Sequence, residues 1–246
     1  MLEAVTFDYW QTLVAERPGE MRSGQIGRFA LTLEESGQPR GSEELEAAFT
    51  ENWARFEEHW NENTGQYTPT DTVDFIGERL GIDLRDGVRA RLIEGFREVG
   101  EAVHLDVAPG IEECLAELRG AGLRLGIVCD VGLTSSPTLR DRLAGFGLLD
   151  AFDAWAFSDE TGWFKPAPEA FSPALRELGV SDPARVAHVG DNRRTDVAGA
   201  LGLGMVAVRY TGLGRDRTHA PSGDRGPEAT HVIDDHRDLA AALGLG

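Results

Sequence analysis

The chain of 246 residues is long enough for one large hydrophobic core, or for a core with a smaller second domain. Apolar residues make up 41% of the chain and charged residues 27%, which is ordinary for a soluble globular protein. The net charge of −18 disfavours nucleic acid and anionic membrane surfaces as partners. No segment approaches the roughly 18 apolar residues of a membrane span.

The first residues of the chain and its two cysteines indicate the cellular compartment in which the protein is expected. The first 20 residues have neither a basic start nor a long apolar run, so we expect no signal peptide. Cys114 and Cys129 fall in a predicted helix and a predicted strand, without a disulfide framework. Together these features predict a cytoplasmic protein. No oligomeric state is predicted.

The first predicted strand is a short run of β-forming residues at 4–7, which places Asp8 at its carboxyl end. From residue 16 to about residue 100 the pattern is helical and poor in strands. Helices are predicted over 20–36, from 42 to about 60, over 70–80 and over 84–99. The pattern therefore predicts a helical, strand-poor stretch over residues 16–100.

The second of these helices carries four aromatic residues on one face, namely Phe49, Trp53, Phe56 and Trp60. This spacing predicts an aromatic stripe that packs a helical bundle. The alternative is that some of these rings, together with His59, cover a ligand site.

Strands and helices alternate after residue 100. Strands are predicted at 123–128, 154–157, 186–189, 205–208 and 231–233, and helices at 111–119, 135–146, 168–178, 195–201 and from 236. Such alternation implies parallel βαβ units. Residues 211–230, rich in Gly, Arg and Pro, are predicted to form a long irregular loop. The fold class is therefore α/β, a Rossmann-like, doubly wound parallel sheet built from residues 1–15 and 101–246.

Polar residues follow several of the strands, at Asp8, at Cys129 with Asp130, at Lys165 and at Asp191. A parallel sheet brings these positions to one edge, where ligands of open α/β sheets bind. These residues are far apart in the sequence, yet all of them lie at or near the ends of predicted strands. This pattern favours a functional site over scattered surface polarity.

Three carboxylates at that edge, those of Asp8, Asp191 and Asp196, would crowd negative charge at a high cost unless a cation lies among them. Mg²⁺ is the expected cation, because it binds a few carboxylate and carbonyl oxygens together with waters and commonly bridges to a phosphate. Lys165, the only lysine in the chain, would complete a cationic pocket for an anionic substrate.

The order and spacing of these residues resemble the four motifs of the haloacid dehalogenase-like (HAD) superfamily, in its phosphatase-type branch with a helical cap. The matching segments are residues 7–13, 127–130, 165–168 and 190–196. The resemblance covers the whole chain, and it implies that residues 16–100 form the cap that closes over the site and selects the substrate.

The resemblance also implies a role for each matching residue. Asp8 is the implied nucleophile, which forms an aspartyl-phosphate, and Lys165 neutralises Asp8 and the transferring group. The implied ligands of Mg²⁺ are Asp8, the backbone carbonyl of Trp10 and Asp191, with Asp196 in the outer shell or close by. The expected substrate is a small phosphorylated metabolite.

Substrate contacts are assigned to Cys129, Asp130, Trp10 and Thr12, but two of these positions depart from the pattern. Phosphatases of this type usually carry a second Asp as general acid and base where this chain has Trp10. Asp130 and His59 are possible substitutes for it. Cys129 stands where the family has Ser or Thr, and a thiol is only a weak hydrogen-bond donor.

Three functions are compatible with these motifs. The first is a Mg²⁺-dependent phosphatase. The second is a 2-haloacid dehalogenase, a class that also carries an aromatic residue at the position of Trp10, but needs no metal and does not keep the acid at Asp191. The third is a binding or regulatory protein that has lost hydrolysis, although such a protein has no need for clustered charge at Asp8, Lys165, Asp191 and Asp196.

Overall fold

The structure, a computed structural model, describes residues 1–62, 65–85, 87–213 and 225–245, so most of the predicted loop at 211–230 lies outside the described residues. The chain divides into two compact units. The first comprises Met1–Ala15, Leu105–Asp130 and Arg140–Gly246, and the second comprises Glu16–His104 and Val131–Leu139. Residues 131–139, which the sequence-based division placed with the core, group with the second unit.

Within the described residues, eight strands belong to the first unit, although the third residue of β2 falls in the second unit. They are β1 (Ala4–Phe7), β2 (Val14–Glu16), β3 (Leu105–Val107), β4 (Arg124–Cys129), β5 (Ala154–Phe157), β6 (Val186–Gly190), β7 (Val206–Tyr210) and β8 (His231–Ile233). Six of them form one parallel sheet in the order β5-β4-β1-β6-β7-β8, while β2 and β3 pair as a separate ribbon. The predicted α/β fold with a parallel, Rossmann-like core is confirmed.

The helices flank this sheet or build the second unit. They are α1 (Glu20–Glu35), α2 (Ser42–Glu62), α3 (Pro69–Leu80), α4 (Val88–Ala102), α5 (Ile111–Gly120), α6 (Ser136–Gly145), α7 (Ser158–Thr161), α8 (Pro168–Glu177), α9 (Ala198–Gly202) and α10 (Leu239–Ala242). None of the helices within the described residues is both long and apolar enough to cross a membrane.

The strand order places a topological switch point at the centre of the sheet. From β1 the chain adds β4 and β5 on one side, then returns to add β6, β7 and β8 on the other. Every residue of β1 and of β6 is buried, as expected for parallel strands covered on both faces. The carboxyl ends of β1 and β6 are therefore neighbours in the crevice where doubly wound sheets bind ligands.

The second unit has its own hydrophobic core. The Phe49 ring packs edge-to-face against Phe29 at a centroid distance of 5.4 Å and also lies near Phe96. Phe56 is buried and stacks on the half-buried Trp53 ring at 4.9 Å. The aromatic stripe predicted for α2 thus contributes to the packing of this helical unit.

The structure differs from the sequence predictions in several elements. Helix α4 begins at Val88 instead of residue 84, because Gly87 precedes it in a left-handed conformation with φ of 78°. The β2–β3 ribbon was not predicted, since each strand has only three residues. The predicted helix at 195–201 is a π-helical turn over Arg193–Val197 followed by the short α9.

The packing of α2 makes a testable prediction about stability. Replacing Phe49 by Ala leaves a cavity between two other rings and should lower the free energy of unfolding by about 3–5 kcal/mol, measured by urea denaturation. Leu31→Ala is the matched control in the same unit, because Leu31 is 48% exposed, and its effect should stay within about 0.5 kcal/mol. Equal effects of the two substitutions would contradict the described core.

Candidate active site

Asp8 lies immediately after β1 and begins a tight turn. Its backbone N–H donates to Val189 O at 2.8 Å, which fixes the end of β1 against β6. The turn closes through hydrogen bonds from Leu13 N to Tyr9 O at 2.9 Å and from Gln11 N to Val14 O at 2.8 Å. Gln11 makes this reversal possible by adopting a left-handed conformation with φ of 58°. Trp10 and Thr12 are carried on the same turn.

Lys165 lies buried between two carboxylates. Its Nζ donates to Asp8 Oδ1 at 2.6 Å, to Asp196 Oδ1 at 2.6 Å and to the Val128 carbonyl at 3.0 Å. An ammonium group has three protons to donate, so these three acceptors satisfy it completely. Lys165 is 2% exposed, and its contacts link the ends of β1, β4 and the turn after β6.

Asp196 reaches this position from the π-helical turn after β6. Asn192 caps that turn, since its side-chain oxygen accepts hydrogen bonds from the backbone N–H groups of Arg194 and Thr195. The Asn192 N–H in turn donates to Asp196 Oδ2 at 2.9 Å. Gly190 makes room for the carboxylate, because a Cβ at that position would come within 2.2 Å of Asp196 Cγ.

The three predicted carboxylates come together. One oxygen from each of Asp8, Asp191 and Asp196 lies within 4.8 Å of the others. Asp8 and Asp196 are buried and Asp191 is half-buried, while the Asp191 carbonyl accepts a hydrogen bond from Arg209 Nε at 3.2 Å. The structure therefore brings Asp8, Lys165, Asp191 and Asp196 to one place, as their positions after the strands predicted.

The charges in this cluster are unequal, with three carboxylates and one ammonium. Burial raises the pKa of Asp8 well above its ordinary value, and Asp196 and Asp191 raise it further against the opposing effect of Lys165. Burial would raise the pKa of Asp196 as well, but Lys165 and His188 outweigh burial and lower it. Burial opposes the charge on Lys165, yet Asp196 and Asp8 raise its pKa.

The opposite directions of these two pKa shifts mean that the charge of Asp8 is less well compensated in this cluster than that of Asp196. The donor set near Asp8 fits a small hard cation. It consists of carboxylate oxygens of Asp8, Asp191 and Asp196, and oxygen ligands of this kind are those that Mg²⁺ prefers. Asp196 is also held by hydrogen bonds, with Oδ1 accepting from Lys165 and Oδ2 from the Asn192 N–H.

The four predicted substrate-binding residues lie at the ends of β1 and β4. Asp130 Oδ1 accepts the Lys165 backbone N–H at 3.0 Å, so this half-buried carboxylate anchors the segment that carries Lys165. Cys129 is buried, and burial together with Asp8 raises the pKa of its thiol, which is therefore neutral. Thr12 is also buried, whereas Trp10 is half-buried and packs edge-to-face on the Tyr9 ring. Of these four, Trp10 and Asp130 retain side-chain exposure.

Sequence reasoning missed His188, which borders the cluster. Its Nε2 lies 3.2 Å from Asp196 Oδ1 and its Nδ1 lies 2.9 Å from Thr6 Oγ1. Burial lowers the pKa of His188, so the ring is neutral. The available signal was a polar residue inside the apolar run of β6, two residues before Gly190.

A profile of the haloacid dehalogenase-like hydrolases matches residues 2–204, a stretch that includes every residue of the cluster. The chain belongs to the haloacid dehalogenase-like hydrolase family. The resemblance recognised in the motifs is confirmed.

Curated relatives and solved structures match this chain as well. The glyceraldehyde 3-phosphate phosphatase of Methanopyrus kandleri is 32% identical over 138 residues, which cover 55% of this chain and 56% of that protein. This chain spans about half the length of the curated relatives it matches. A HAD phosphatase structure from Thermococcus onnurineus has a TM-score of 0.66 and 27% identity, and the alignment covers 99% of this chain and 98% of that one.

A third similarity is to a 2-haloacid dehalogenase. The structure of that enzyme from Pseudomonas syringae has a TM-score of 0.69, with coverage of 100% of this chain and 99% of that one. Its sequence identity of 22% limits this similarity to the fold.

The contact between Gly190 and Asp196 makes a prediction. Gly190→Ala would drive its methyl group into a carboxylate that is held by Lys165 and Asn192, and overpacking of this kind should lower the free energy of unfolding by about 1–3 kcal/mol. In Gly202→Ala, the matched control, the new Cβ would meet no atom within 4 Å, so stability should be unchanged or raised by up to about 1 kcal/mol. Urea denaturation of both variants measures the difference, and a fully stable Gly190→Ala protein would be inconsistent with this arrangement.

Proposed function

We propose that this protein is a Mg²⁺-dependent phosphatase that hydrolyses a small phosphorylated metabolite through an aspartyl-phosphate on Asp8. The observation that carries the proposal is the placement of Lys165 Nζ 2.6 Å from both Asp8 and Asp196, with Asp191 in the same cluster. Family membership and the phosphatase relative favour this reaction over others.

In the proposed reaction, the Asp8 carboxylate attacks the phosphorus of a phosphate monoester and the ester oxygen leaves. Water then attacks the phosphorus of the aspartyl-phosphate, which releases inorganic phosphate and regenerates Asp8. Lys165 neutralises the negative charge that gathers around Asp8 and the phosphoryl group, a role that its fixed position and burial strengthen.

The proposed ligands of Mg²⁺ are Asp8, the Trp10 carbonyl and Asp191. When bound, the ion supplies positive charge that keeps Asp8 ionised and offsets the charge of the substrate phosphate. Asp196 is proposed to support the site from outside this ligand set, where its oxygens accept hydrogen bonds from Lys165 and Asn192.

The remaining roles concern the substrate. The turn after Asp8, with Trp10 and Thr12, and the end of β4, with Cys129 and Asp130, are proposed to border the bound phosphate ester. The helical second unit is proposed to act as the cap that selects the substrate. On α2, Phe49 packs in the core of this unit and Phe56 stacks on Trp53, so no ligand contact is assigned to these three rings.

A dehalogenase is the second candidate function. It is favoured by one observation, the aromatic residue Trp10 two positions after Asp8. The presence of Asp191 in the cluster with Asp8 argues against it, because this class needs no metal and does not keep that acid. A binding protein without hydrolysis is the remaining alternative.

The metal proposal predicts an effect of Asp191 on Mg²⁺ affinity. Asp191→Asn removes a proposed ligand charge and should weaken Mg²⁺ binding at least about tenfold in isothermal titration calorimetry. Asp141→Asn removes the same charge from an exposed position in α6 and should leave the affinity unchanged. If Asp191→Asn binds Mg²⁺ as tightly as Asp141→Asn and the wild-type protein do, Asp191 is not a ligand and the ion is held elsewhere.

Trp10 gives the sharpest test of the reaction. Because an indole can neither protonate a leaving oxygen nor deprotonate water, activated aryl phosphates, whose leaving groups need no proton, should turn over far better than alkyl phosphates. Trp10→Asp should raise alkyl-ester hydrolysis by up to about 10²-fold. The measurement is phosphate release from a panel of small esters with and without Mg²⁺.

Asp8→Asn is the control for this test, because it should abolish hydrolysis of both ester types while Lys165 keeps its contact with Asp196. Rapid alkyl-ester hydrolysis by the wild-type protein, unchanged in Trp10→Asp, would show that another residue is the acid, and Asp130 and His59 are then the residues to replace. Halide release from 2-halo acids without Mg²⁺ would establish the dehalogenase instead. Binding of Mg²⁺ and a ligand without hydrolysis would establish the binding protein.

A further inference from the structure

Two polar side chains lie side by side inside the central sheet. The register of β1 and β6 pairs Thr6 with His188, so both side chains project from neighbouring positions of the same face. Both residues are fully buried. Burial of a hydroxyl and an imidazole is costly unless each finds a hydrogen-bond partner, and these two satisfy one another.

The partners of His188 determine which ring nitrogen carries the proton. The Asp196 carboxylate only accepts hydrogen bonds, so the Nε2 that lies 3.2 Å from Asp196 Oδ1 carries the hydrogen. The Nδ1 of the neutral ring is then an acceptor, and it receives the hydroxyl proton of Thr6 across 2.9 Å. The other acceptor within reach of that hydroxyl, the Ala187 carbonyl, is more distant at 3.5 Å.

Packing holds the imidazole ring in this orientation. The Phe171 ring meets it edge-to-face, with centroids 5.0 Å apart and planes inclined at 78°. Phe171 occupies space that Gly199 leaves open, since a Cβ on Gly199 would approach the Phe171 ring to 2.6 Å. Rotation of the His188 ring would therefore have to displace a fully buried phenylalanine.

We propose that His188 is a positioning residue for the reacting groups, with its tautomer set by the Asp196 carboxylate and its Nδ1 held by the hydroxyl of Thr6. Its Nε2–H and Lys165 Nζ both donate to Asp196 Oδ1, and the Asn192 N–H donates to Oδ2. The Asp196 carboxylate is thereby held from three sides, and it keeps Lys165 within 2.6 Å of Asp8 Oδ1. The inference rests on the proposed function, in which Asp8 and Lys165 are the reacting groups.

Nuclear magnetic resonance of the ring nitrogens tests the tautomer without any substrate. In ¹⁵N-labelled wild-type protein, His188 should show a protonated Nε2 and an unprotonated Nδ1, and its signals are identified by their loss in His188→Gln. Thr6→Ser keeps the hydroxyl and should preserve this pattern, whereas Thr6→Val removes the donor to Nδ1 and should shift its resonance. A wild-type ring protonated at Nδ1 would overturn the inference.

Kinetics test the positioning role with an aryl phosphate at saturating Mg²⁺. His188→Leu removes the donor to Asp196 and should lower kcat at least about tenfold, with little change in KM, as is typical of residues that orient a reacting group through another. His188→Gln offers an amide N–H at a similar reach and should restore most of kcat. His231→Gln, at a half-buried position in β8, is the matched control and should match the wild-type rate.

The outcomes separate positioning from a contribution to stability alone. If His188→Leu keeps the wild-type kcat, or if the Gln and Leu variants lose kcat equally, the positioning role is wrong. If His188→Leu does not fold, Thr6→Val takes its place, because valine matches the shape of threonine. The kcat of Thr6→Val should then fall below the kcat of Thr6→Ser. Equal kcat values of these two variants would overturn the inference.

Failure of the proposed function would be recognised separately. Wild-type protein that hydrolyses no phosphate ester would refute the proposed reaction. The ring-nitrogen spectra would then decide the inference alone, since the hydrogen bonds from Thr6 to His188 and from His188 to Asp196 do not require turnover.

Discussion

One ammonium group shared by two buried carboxylates is the interaction on which the centre of this protein depends. Removing charges from water costs several kcal/mol per ion, and only close pairing with well-directed hydrogen bonds offsets that cost. Lys165 meets this requirement by donating to Asp8, Asp196 and a backbone carbonyl at once. Because the three side chains come from distant parts of the sequence, the pairing fixes the ends of several strands together.

Other parts of the first unit hold Asp8, Lys165 and Asp196 in this arrangement. The strand order brings the ends of β1 and β6 together, and the absence of a side chain at Gly190 lets the Asp196 carboxylate approach the strand. Asn192 caps the turn that carries Asp196, and Asp130 anchors the segment that carries Lys165. The imbalance that remains, three carboxylates against one ammonium, is what makes a divalent cation a fitting partner for the cluster.

The sequence was sufficient to predict the parallel α/β core and the meeting of Asp8, Lys165, Asp191 and Asp196, because buried strands have a clear apolar pattern and their carboxyl ends converge in any doubly wound sheet. It was not sufficient to predict His188, whose role depends on the pairing of β1 with β6, and strand register is a long-range property. The short β2–β3 ribbon and the π-helical turn were missed for a related reason, since such brief elements carry almost no periodicity.

The burial of Lys165 has a chemical consequence beyond the site. It is the only lysine in the chain, and its ammonium is enclosed by three oxygen acceptors, so the protein presents no lysine amine to solvent. Modifications that require such an amine, such as Nε-acetylation or an isopeptide bond to ubiquitin, have no accessible lysine in the native fold. Acylating reagents directed at lysine would react only when Lys165 is released from Asp8 and Asp196. Their reaction rate would therefore measure how often these two ion pairs open.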